Sequence, residues 1–138
     1  HAALHDGDAR AQRHGLDLVV RDVHAGGAAR LVQALDFGAH FHARQRDFVA
    51  RYAHVGDVRG VGLMAAIEMV ESKASRKTLP RGNDLPLKIA RAAYRRGAMV
   101  RVSGPNIILS PPLIITREEI DILVDALDAA FAEAEAGA

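Results

Sequence analysis

The sequence predicts an α+β domain in which a small antiparallel sheet has helices packed on one face. Three observations support this fold class: an amphipathic helical stretch near the start, glycine-interrupted β-branched segments in the middle, and a capped amphipathic helix at the end. The chain has 138 residues, the size of one ordinary domain, and 49% of them are hydrophobic, which is enough for a core.

The first helical stretch follows Gly26 and Gly27 and extends to about Tyr52. Aromatic residues recur along it at helical spacing, and Leu31 and Leu35 extend the same apolar side toward the N-terminus. This pattern is typical of an amphipathic helix with one buried face. The aromatic residues are Phe37, Phe41, Phe48 and Tyr52.

Residues 55–70, VGDVRGVGLMAAIEMV, combine apolar and β-branched residues with three glycines. Glycines inside such a segment are typical of strands with a bend or a bulge. We expect a buried strand from Leu63 to Met69. The polar stretch from Glu71 to Asp84 is predicted to be an exposed loop.

A hairpin is predicted from strands Met99–Ser103 and Ile107–Ser110. The intervening Gly104-Pro105-Asn106 contains turn residues. Pro105 is at a position where φ has to be about −65°, the value that the proline ring imposes, and Asn106 is at a position where φ is expected to be positive. The order of elements is therefore helix, strand, helix, hairpin, helix.

Two further helices have clear boundary signals. The first is predicted from Leu87 to Arg96, with Pro86 in its first turn and Gly97 just beyond its end. The second begins at Thr116, which with Glu119 forms a capping box. Apolar residues then follow at helical spacing: Ile120, Leu123, Val124, Leu127 and Phe131.

Charge and composition exclude several classes of function. Eighteen basic and seventeen acidic residues leave a net charge of +1, whereas domains that bind nucleic acid usually carry a clear basic excess. No apolar run is long enough to span a membrane. Because there is no cysteine, disulfides and thiol nucleophiles are excluded, and a reducing, cytoplasmic location is expected. The chain starts without Met or a signal peptide, which suggests a longer reading frame.

Three segments in this order resemble the C-terminal small domain of class III, omega-type, pyridoxal-phosphate (PLP)-dependent aminotransferases. They are residues 55–70, residues 97–116 (GAMVRVSGPNIILSPPLIIT) and residues 117–131 (REEIDILVDALDAAF). The register of residues 38–41 in the preceding helix is also similar. The resemblance implies that residues 26–138 form the small domain of a fold-type-I PLP enzyme. Residues 1–25 are a poorly defined segment that could be the end of the large domain.

The resemblance also implies a site residue. In this family an arginine at the position of Arg101 binds the carboxylate of the substrate, a role that suits a planar guanidinium able to donate two parallel hydrogen bonds. From spacing alone, Arg101 is an ordinary exposed strand residue. The family often has Asp where Pro105 stands, so any contact of that aspartate is lost. Arg59 is predicted to be structural, bonding a loop carbonyl or a carboxylate.

The family's chemistry implies PLP as the cofactor and a homodimer for the full-length enzyme. Such an enzyme transfers an amino group between an amine or omega-amino acid and an oxo-acid such as pyruvate. Its PLP-anchoring lysine lies upstream in the family, and Lys73, Lys77 and Lys88 match no such position. We therefore interpret these three as solvated surface lysines, and expect no catalytic or cofactor-binding residue in this chain.

The histidines and arginines suggest two other sites, both of which we consider unlikely. His40 and His42 are two residues apart and point to different sides of a helix, and His1 and His5 lie in a terminal segment, so no metal site is expected. RNA binding through three arginines of one helix is also disfavoured. They are Arg91, Arg95 and Arg96.

One alternative function remains open. The chain could be a stand-alone α+β module that binds a carboxylate ligand or a partner protein without catalysis. That hypothesis predicts an initiation codon at the start of this chain, whereas the aminotransferase hypothesis predicts an upstream reading frame.

Overall fold

The computed structural model describes residues 27–30, 32–33 and 35–137. Ala34–Ala138 form one compact unit, and the helical residues 27–30, 32 and 33 belong to a separate unit. The predictions for residues 1–25 and for Leu31 lie outside the described residues. The elements of the compact unit are α1 (35–45), α2 (Phe48–Arg51), β1 (Val55–Val61), β2 (Met64–Met69), α3 (Leu85–Arg95), β3 (Arg101–Ser103), β4 (Asn106–Leu109) and α4 (Arg117–Ala136).

The four strands form one antiparallel sheet in the order β1-β2-β4-β3, which confirms the predicted α+β class. The strand expected from Leu63 to Met69 is confirmed as β2. The predicted order of elements counts one strand in residues 55–70, whereas the chain forms a hairpin of β1 and β2 there. Gly62 has a φ of 55° and allows the tight turn between β1 and β2. A register shift between Val55 and Asp57 is the predicted irregularity in the first strand.

The second hairpin is where the sequence predicts it, but its turn differs in detail. Ser103 pairs with Asn106, so Gly104 and Pro105 are the two central residues. Gly104 has the positive φ, 58°, because the proline ring cannot take one. The expectation of a positive φ at Asn106 is therefore wrong, and Asn106 is the first residue of β4.

The first helix buries its aromatic side as predicted, although it is interrupted by a turn at residues 46–47. Phe41, Phe48 and Tyr52 are buried and Phe37 is partly buried. The expected extension of this side to Leu35 is wrong, since Leu35 is 57% exposed.

The predicted boundaries of α3 and the predicted start of α4 are confirmed to within a residue or two. Pro86 is in the first turn of α3, and Gly97 follows its end with a φ of 87°. Thr116 and Glu119 form the capping box of α4. The predicted loop from Glu71 to Asp84 is exposed apart from Leu79. Among the described helices, none combines the length and the apolar character needed to cross a membrane.

The core lies between the helices and one face of the sheet. The aromatic rings of Phe48, Tyr52 and Phe131 are in mutual contact, with centroids 5.2–5.7 Å apart, and they join α2 to the C-terminal half of α4. The sheet contributes Ala65, Ile67, Met69, Ile107 and Leu109, and the helices α3 and α4 contribute Ile89, Ala92, Ala93, Ile120, Val124, Leu127, Ala130 and Phe131.

Candidate functional site

The candidate site lies on the sheet face that the helices leave open. Successive residues of a strand point to opposite faces of the sheet. Ala66 and Ile108, which are adjacent in sequence to the buried Ile67 and Ile107, therefore point away from the core. The register places Arg59, Ala66, Ile108 and Arg101 opposite one another across β1, β2, β4 and β3. Two arginines therefore share one row, about 14 Å apart, since adjacent strands are about 4.8 Å apart.

Carboxylates from two strands neutralise Arg59. Its Nη1 donates to Asp57 Oδ2 at 3.0 Å and to Glu68 Oε2 at 2.6 Å. The hydrogen bond to Glu68, followed by that to Asp57, raises the pKa of Arg59. The interpretation of Arg59 as a structural residue that bonds a carboxylate is thus confirmed by its contacts.

Arg101, in contrast, is exposed and makes no hydrogen bond or ion pair within the described ranges. It is the first residue of β3, which is an edge strand paired only with β4. Its guanidinium is therefore available to an anionic ligand. Whether a substrate carboxylate binds there stays a prediction.

The hairpin that holds Arg101 is fixed by backbone contacts. Met69 N donates to Pro105 O at 3.0 Å, so the turn is tied to the end of β2. Asn106 Nδ2 donates to Ser103 O at 3.3 Å across the turn. The turn thus forms with Pro105 in place of the family's frequent aspartate, as the sequence predicts. A strand next to a tight, tethered turn is a rigid support for a binding residue.

A groove with a volume of about 730 Å³ adjoins Arg101. One wall is formed by the segment that leads into β3, another by the end of β4 with the following prolines, and a third by the first turns of α4. Arg101 and Glu119 are the charged residues on these walls. The apolar residues that line the groove include Met99, Val100, Ile108, Ile115, Ile122 and Leu123.

An acidic side of α4 anchors α1, and residue patterns did not predict this. His40 Nε2 is 2.8 Å from Asp121 Oδ1, and Arg44 bonds both Asp121 and Asp125. The hydrogen bond from His40 is the largest cause of the lowered pKa of Asp121, and Arg44 lowers that pKa further. These partners are 77–81 residues apart in sequence, so no local signal relates them.

A second set of contacts anchors α2 to α4. Arg51 Nη2 donates to Asp128 Oδ2 at 2.8 Å, and the Tyr52 hydroxyl donates to Asp128 Oδ1 at 2.5 Å. Burial raises the pKa of Asp128, but the hydrogen bonds from Arg51 and Tyr52 outweigh this effect and the net pKa is lowered. The three aspartates of α4 thus hold the layer of helices together behind the open sheet face.

All three lysines of the sequence are exposed. Lys73 donates to the carbonyl of Val49, and Lys88 Nζ is 3.0 Å from Asp84 Oδ2. Lys77 lies in the exposed loop between β2 and α3. Their positions agree with the interpretation that they are surface lysines.

The described histidines and acids do not come together as a metal site. Across residues 27–30, 32–33 and 35–137, no three His, Asp or Glu side chains have a geometry that could hold a metal ion. His40 bonds Asp121, whereas His42 lies beside Gly60 of β1. His1 and His5 lie outside the described residues.

Comparison with known families gives one match over most of the chain. The model of the family described as aminotransferase class-III matches residues 26–131. An adenosylmethionine-8-amino-7-oxononanoate aminotransferase from Methanocaldococcus jannaschii is 41% identical over 95 residues, which are 69% of this chain and 20% of the relative. A probable gamma-aminobutyrate transaminase 4 from Oryza sativa subsp. japonica is 38% identical over 104 residues, 70% of this chain and 22% of the relative.

Solved structures show the same similarity in three dimensions. An amine transaminase from an uncultivated Pseudomonas species, in its PLP-bound form, superposes with a TM-score of 0.77 and 42% identity, covering 85% of this chain and 26% of that one. An aminotransferase from Vibrio fluvialis in its PMP-bound form gives a TM-score of 0.72 and 28% identity, covering 79% and 24%. The chain thus spans about a fifth of the length of the curated relatives it matches.

Proposed function

Because the chain belongs to the class III aminotransferase family, we propose that it is the part of a PLP-dependent aminotransferase that recognises the substrate carboxylate. The whole protein would transfer an amino group between an amine or omega-amino acid and an oxo-acid such as pyruvate. PLP, the cofactor of the family, stabilises the negative charge that develops on the substrate carbon. The resemblance further implies a cytoplasmic homodimer, and both properties are part of the proposal.

The availability of Arg101 carries this proposal. The open sheet face has two arginines in one row, and Arg59 is already neutralised by Asp57 and Glu68. Arg101 is exposed and has no such partner within the described part of the chain. An arginine stays charged at any physiological pH and can hold a carboxylate by two parallel hydrogen bonds. Arg101 is thus better suited than Arg59 to bind an anionic substrate.

We propose that the lysine that anchors PLP is not among the three in this chain. An amine that reacts with PLP has to lose its proton, which burial or a cationic neighbour promotes. Lys73 and Lys88 are instead exposed and bonded to a carbonyl and a carboxylate. Lys77 is exposed as well. The three lysines therefore do not fit the role of PLP anchor, and no catalytic step is assigned to them.

Steady-state kinetics on the whole protein encoded by this reading frame would test the role of Arg101. In Arg101→Gln, we expect the KM for pyruvate and for an omega-amino acid to rise at least about tenfold, since hydrogen bonds between charged groups contribute about 1.5–3 kcal/mol. The half-reaction with an amine that lacks a carboxylate should keep its rate. Arg91→Gln, an exposed arginine on α3, is the matched control. An equal loss with both kinds of donor would refute carboxylate recognition by Arg101.

A stand-alone carboxylate- or partner-binding module is the second candidate. One observation favours it: Ala34–Ala138 form a compact unit with its own core. Sequencing the DNA upstream of the codon for His1 separates the two candidates. A frame that continues into a domain with a PLP-anchoring lysine supports the aminotransferase, whereas an initiation codon directly before the codon for His1 supports the module.

A further inference from the structure

We infer that a pocket at the β1 edge of the sheet binds an amino acid in its zwitterionic form. The pocket has a volume of about 400 Å³ and lies between α2, the start of β1, the end of β2 and the loop that follows β2. The residues that line it include Val49, Asp57, Glu68, Val70, Lys73 and Arg76. Because Arg101 is on β3, at the opposite edge of the sheet, this inference does not depend on the proposed function.

The loop that follows β2, residues 71–78, is held in place by its own hydrogen bonds. Glu71 N donates to Lys77 O at 2.9 Å, which closes the loop at its base. Within it, Ser75 N donates to Ser72 Oγ at 3.2 Å, and Ser72 Oγ donates to Ser75 Oγ at 2.9 Å. The loop is therefore a fixed support for the cationic side chains that it contributes to the pocket.

The backbone of this loop is strained at one of those cations. Among the described residues, Arg76 is the one non-glycine residue with a positive φ, 52°. A residue with a Cβ adopts this conformation at a cost that glycine does not have. The Arg76 side chain lines the pocket and makes no hydrogen bond or ion pair within the described part of the chain. Backbone strain of this kind is typical of residues that contact a ligand.

The opposite side of the pocket is acidic. Asp57 Oδ2 and Glu68 Oε2 both accept from Arg59 Nη1, at 3.0 Å and 2.6 Å. Two carboxylates and one guanidinium leave one net negative charge on this side. Within residues 27–30, 32–33 and 35–137, the second oxygen of each carboxylate makes no hydrogen bond. These two oxygens can accept hydrogen bonds from an ammonium group.

A molecule that carries both charges is complementary to this arrangement. The carboxylate of an amino acid binds to Arg76, with Lys73 close by, and its ammonium group binds to the unbonded oxygens of the two acids. A simple anion would meet the like charge of Asp57 and Glu68. A simple cation would meet the like charge of Arg76 and Lys73. The pocket therefore favours a zwitterion over either.

The apolar part of the lining selects the side chain of the ligand. Val70 is 6% exposed and Val49 is partly buried against the core, so both are fixed in place. Valine side chains favour contact with an aliphatic group over contact with water. The volume of about 400 Å³ is within the range typical of small-molecule sites. L-Valine, which combines both charges with a branched aliphatic side chain, is accordingly the probe.

NMR titrations of the 15N-labelled 138-residue chain at pH 7 test the inference. The ligands are L-valine, 3-methylbutanoate, which is valine without its ammonium group, and isobutylamine, which is valine without its carboxylate. We expect L-valine to give saturable shifts of the amide signals of residues 72–77. At those signals, each analogue with a single charge should bind at least about tenfold more weakly.

Arg76→Gly is the most informative variant, because glycine adopts the positive φ without strain. It should weaken the binding of L-valine at least about tenfold while the free energy of unfolding, measured in urea, stays the same or rises. Arg81→Gln is the matched control, since Arg81 is exposed in the same connection but does not line the pocket. Asp57→Asn should weaken the binding of L-valine and leave that of 3-methylbutanoate no weaker.

The outcomes separate this inference from the proposed function. Binding of L-valine that is lost in Arg76→Gly and kept in Arg101→Gln supports the inference. Binding that is lost in Arg101→Gln and kept in Arg76→Gly overturns it and supports the proposed carboxylate site instead. If 3-methylbutanoate binds as tightly as L-valine, the pocket does not recognise a zwitterion and the inference is wrong. Signals of residues 72–77 that do not move, or that move without saturation, also overturn it.

Discussion

At the scale of single residues, the two arginines of the open sheet face show how their neighbours determine their roles. Arg59 and Arg101 share a row, yet Arg59 bonds two carboxylates and Arg101 bonds none within the described ranges. The difference arises because β1 and β2 place Asp57 and Glu68 opposite each other, two pairs along from Arg59 and on the same face. β4 and β3 place uncharged residues at the equivalent positions, Asn106 and Ser103.

Some of these residue-scale properties were predictable and others were not. Strand alternation places the carboxylates of residues 57 and 68 on the face of Arg59, so a carboxylate partner could be expected. The burial of Leu35 was wrongly predicted, because helical spacing shows which residues share a side but not whether another element covers that side. The positive φ at Asn106 was wrong because Gly104 supplies it instead.

The carboxylate of Asp128 gives a pH-dependent prediction. Asp128→Asn removes the ion pair with Arg51 and weakens the hydrogen bond from Tyr52, so we expect a loss of about 1 kcal/mol in the free energy of unfolding at pH 7. The lowered native pKa means that this stabilisation is complete above the unfolded pKa of about 3.9 and is lost as pH falls through the native pKa. Urea unfolding at pH 7 and at successively lower pH would measure both effects.

The matched control is Asp84→Asn, at an exposed pair with Lys88 one helical turn away. It should change the free energy of unfolding by less than about 0.5 kcal/mol. The free energy of unfolding of Asp128→Asn should approach that of the wild type as the pH falls. If the difference between them stayed constant down to the lowest pH at which the protein is folded, the charge of the Asp128 carboxylate would not be its cause.

At the scale of elements, α4 depends on its N-terminal cap. Thr116 Oγ1 accepts from Glu119 N at 3.2 Å, and Glu119 Oε2 accepts from Thr116 N at 2.8 Å. Thr116→Ala removes the first of these bonds and should lower the free energy of unfolding by about 1 kcal/mol in urea titrations. Thr116→Ser keeps the hydroxyl and should stay within a few tenths of a kcal/mol of the wild type. Equal destabilisation by both variants would show that the methyl group matters rather than the cap.

The turn between β3 and β4 depends on one backbone conformation. Gly104 has a φ of 58°, and a Cβ added there would meet nothing within 4 Å, so any cost of Gly104→Ala comes from the backbone alone. We expect that substitution to cost about 1–2 kcal/mol and Gly104→Asn to cost less, measured by urea unfolding. Gly137→Ala is the control, because Gly137 has a φ of −100° and needs no special conformation. A neutral Gly104→Ala would mean that the turn tolerates another geometry.

The sequence predicts the elements with strong end signals and misses a turn that has weaker ones. Proline and glycine mark the two ends of α3 and the capping box marks the start of α4, and those boundaries are confirmed. The strand expected from Leu63 to Met69 is present as β2, but β1 was not predicted as a separate strand. Val61, Gly62 and Leu63 continue an apolar run, and the turn consists of Gly62 and Leu63 alone. The positive φ of Gly62 and the antiparallel pairing of β1 with β2 show that the chain reverses there.

At the scale of the whole molecule, contacts between distant segments hold the helices behind the sheet. The aspartates of α4 at positions 121, 125 and 128 bond residues of α1 and α2 that are 76–81 positions away. A single sequence contains no signal that pairs such positions, which is why this part of the structure was not predicted. The resemblance in the segments that include both hairpins and α4, in contrast, was enough to identify the family, which the match over residues 26–131 confirms.

The role of the molecule depends on whether Arg101 binds carboxylates when the chain is folded. The most direct measurement is the NMR signal of the Arg101 Nε–H in the 15N-labelled chain, assigned by its absence in Arg101→Gln, during titration with pyruvate. We predict a saturable shift of this signal, while the signal of Arg59, already bonded to two carboxylates, stays in place. An Arg101 signal that does not move, or that moves equally on adding chloride, would contradict the assignment of Arg101 as the carboxylate-binding residue.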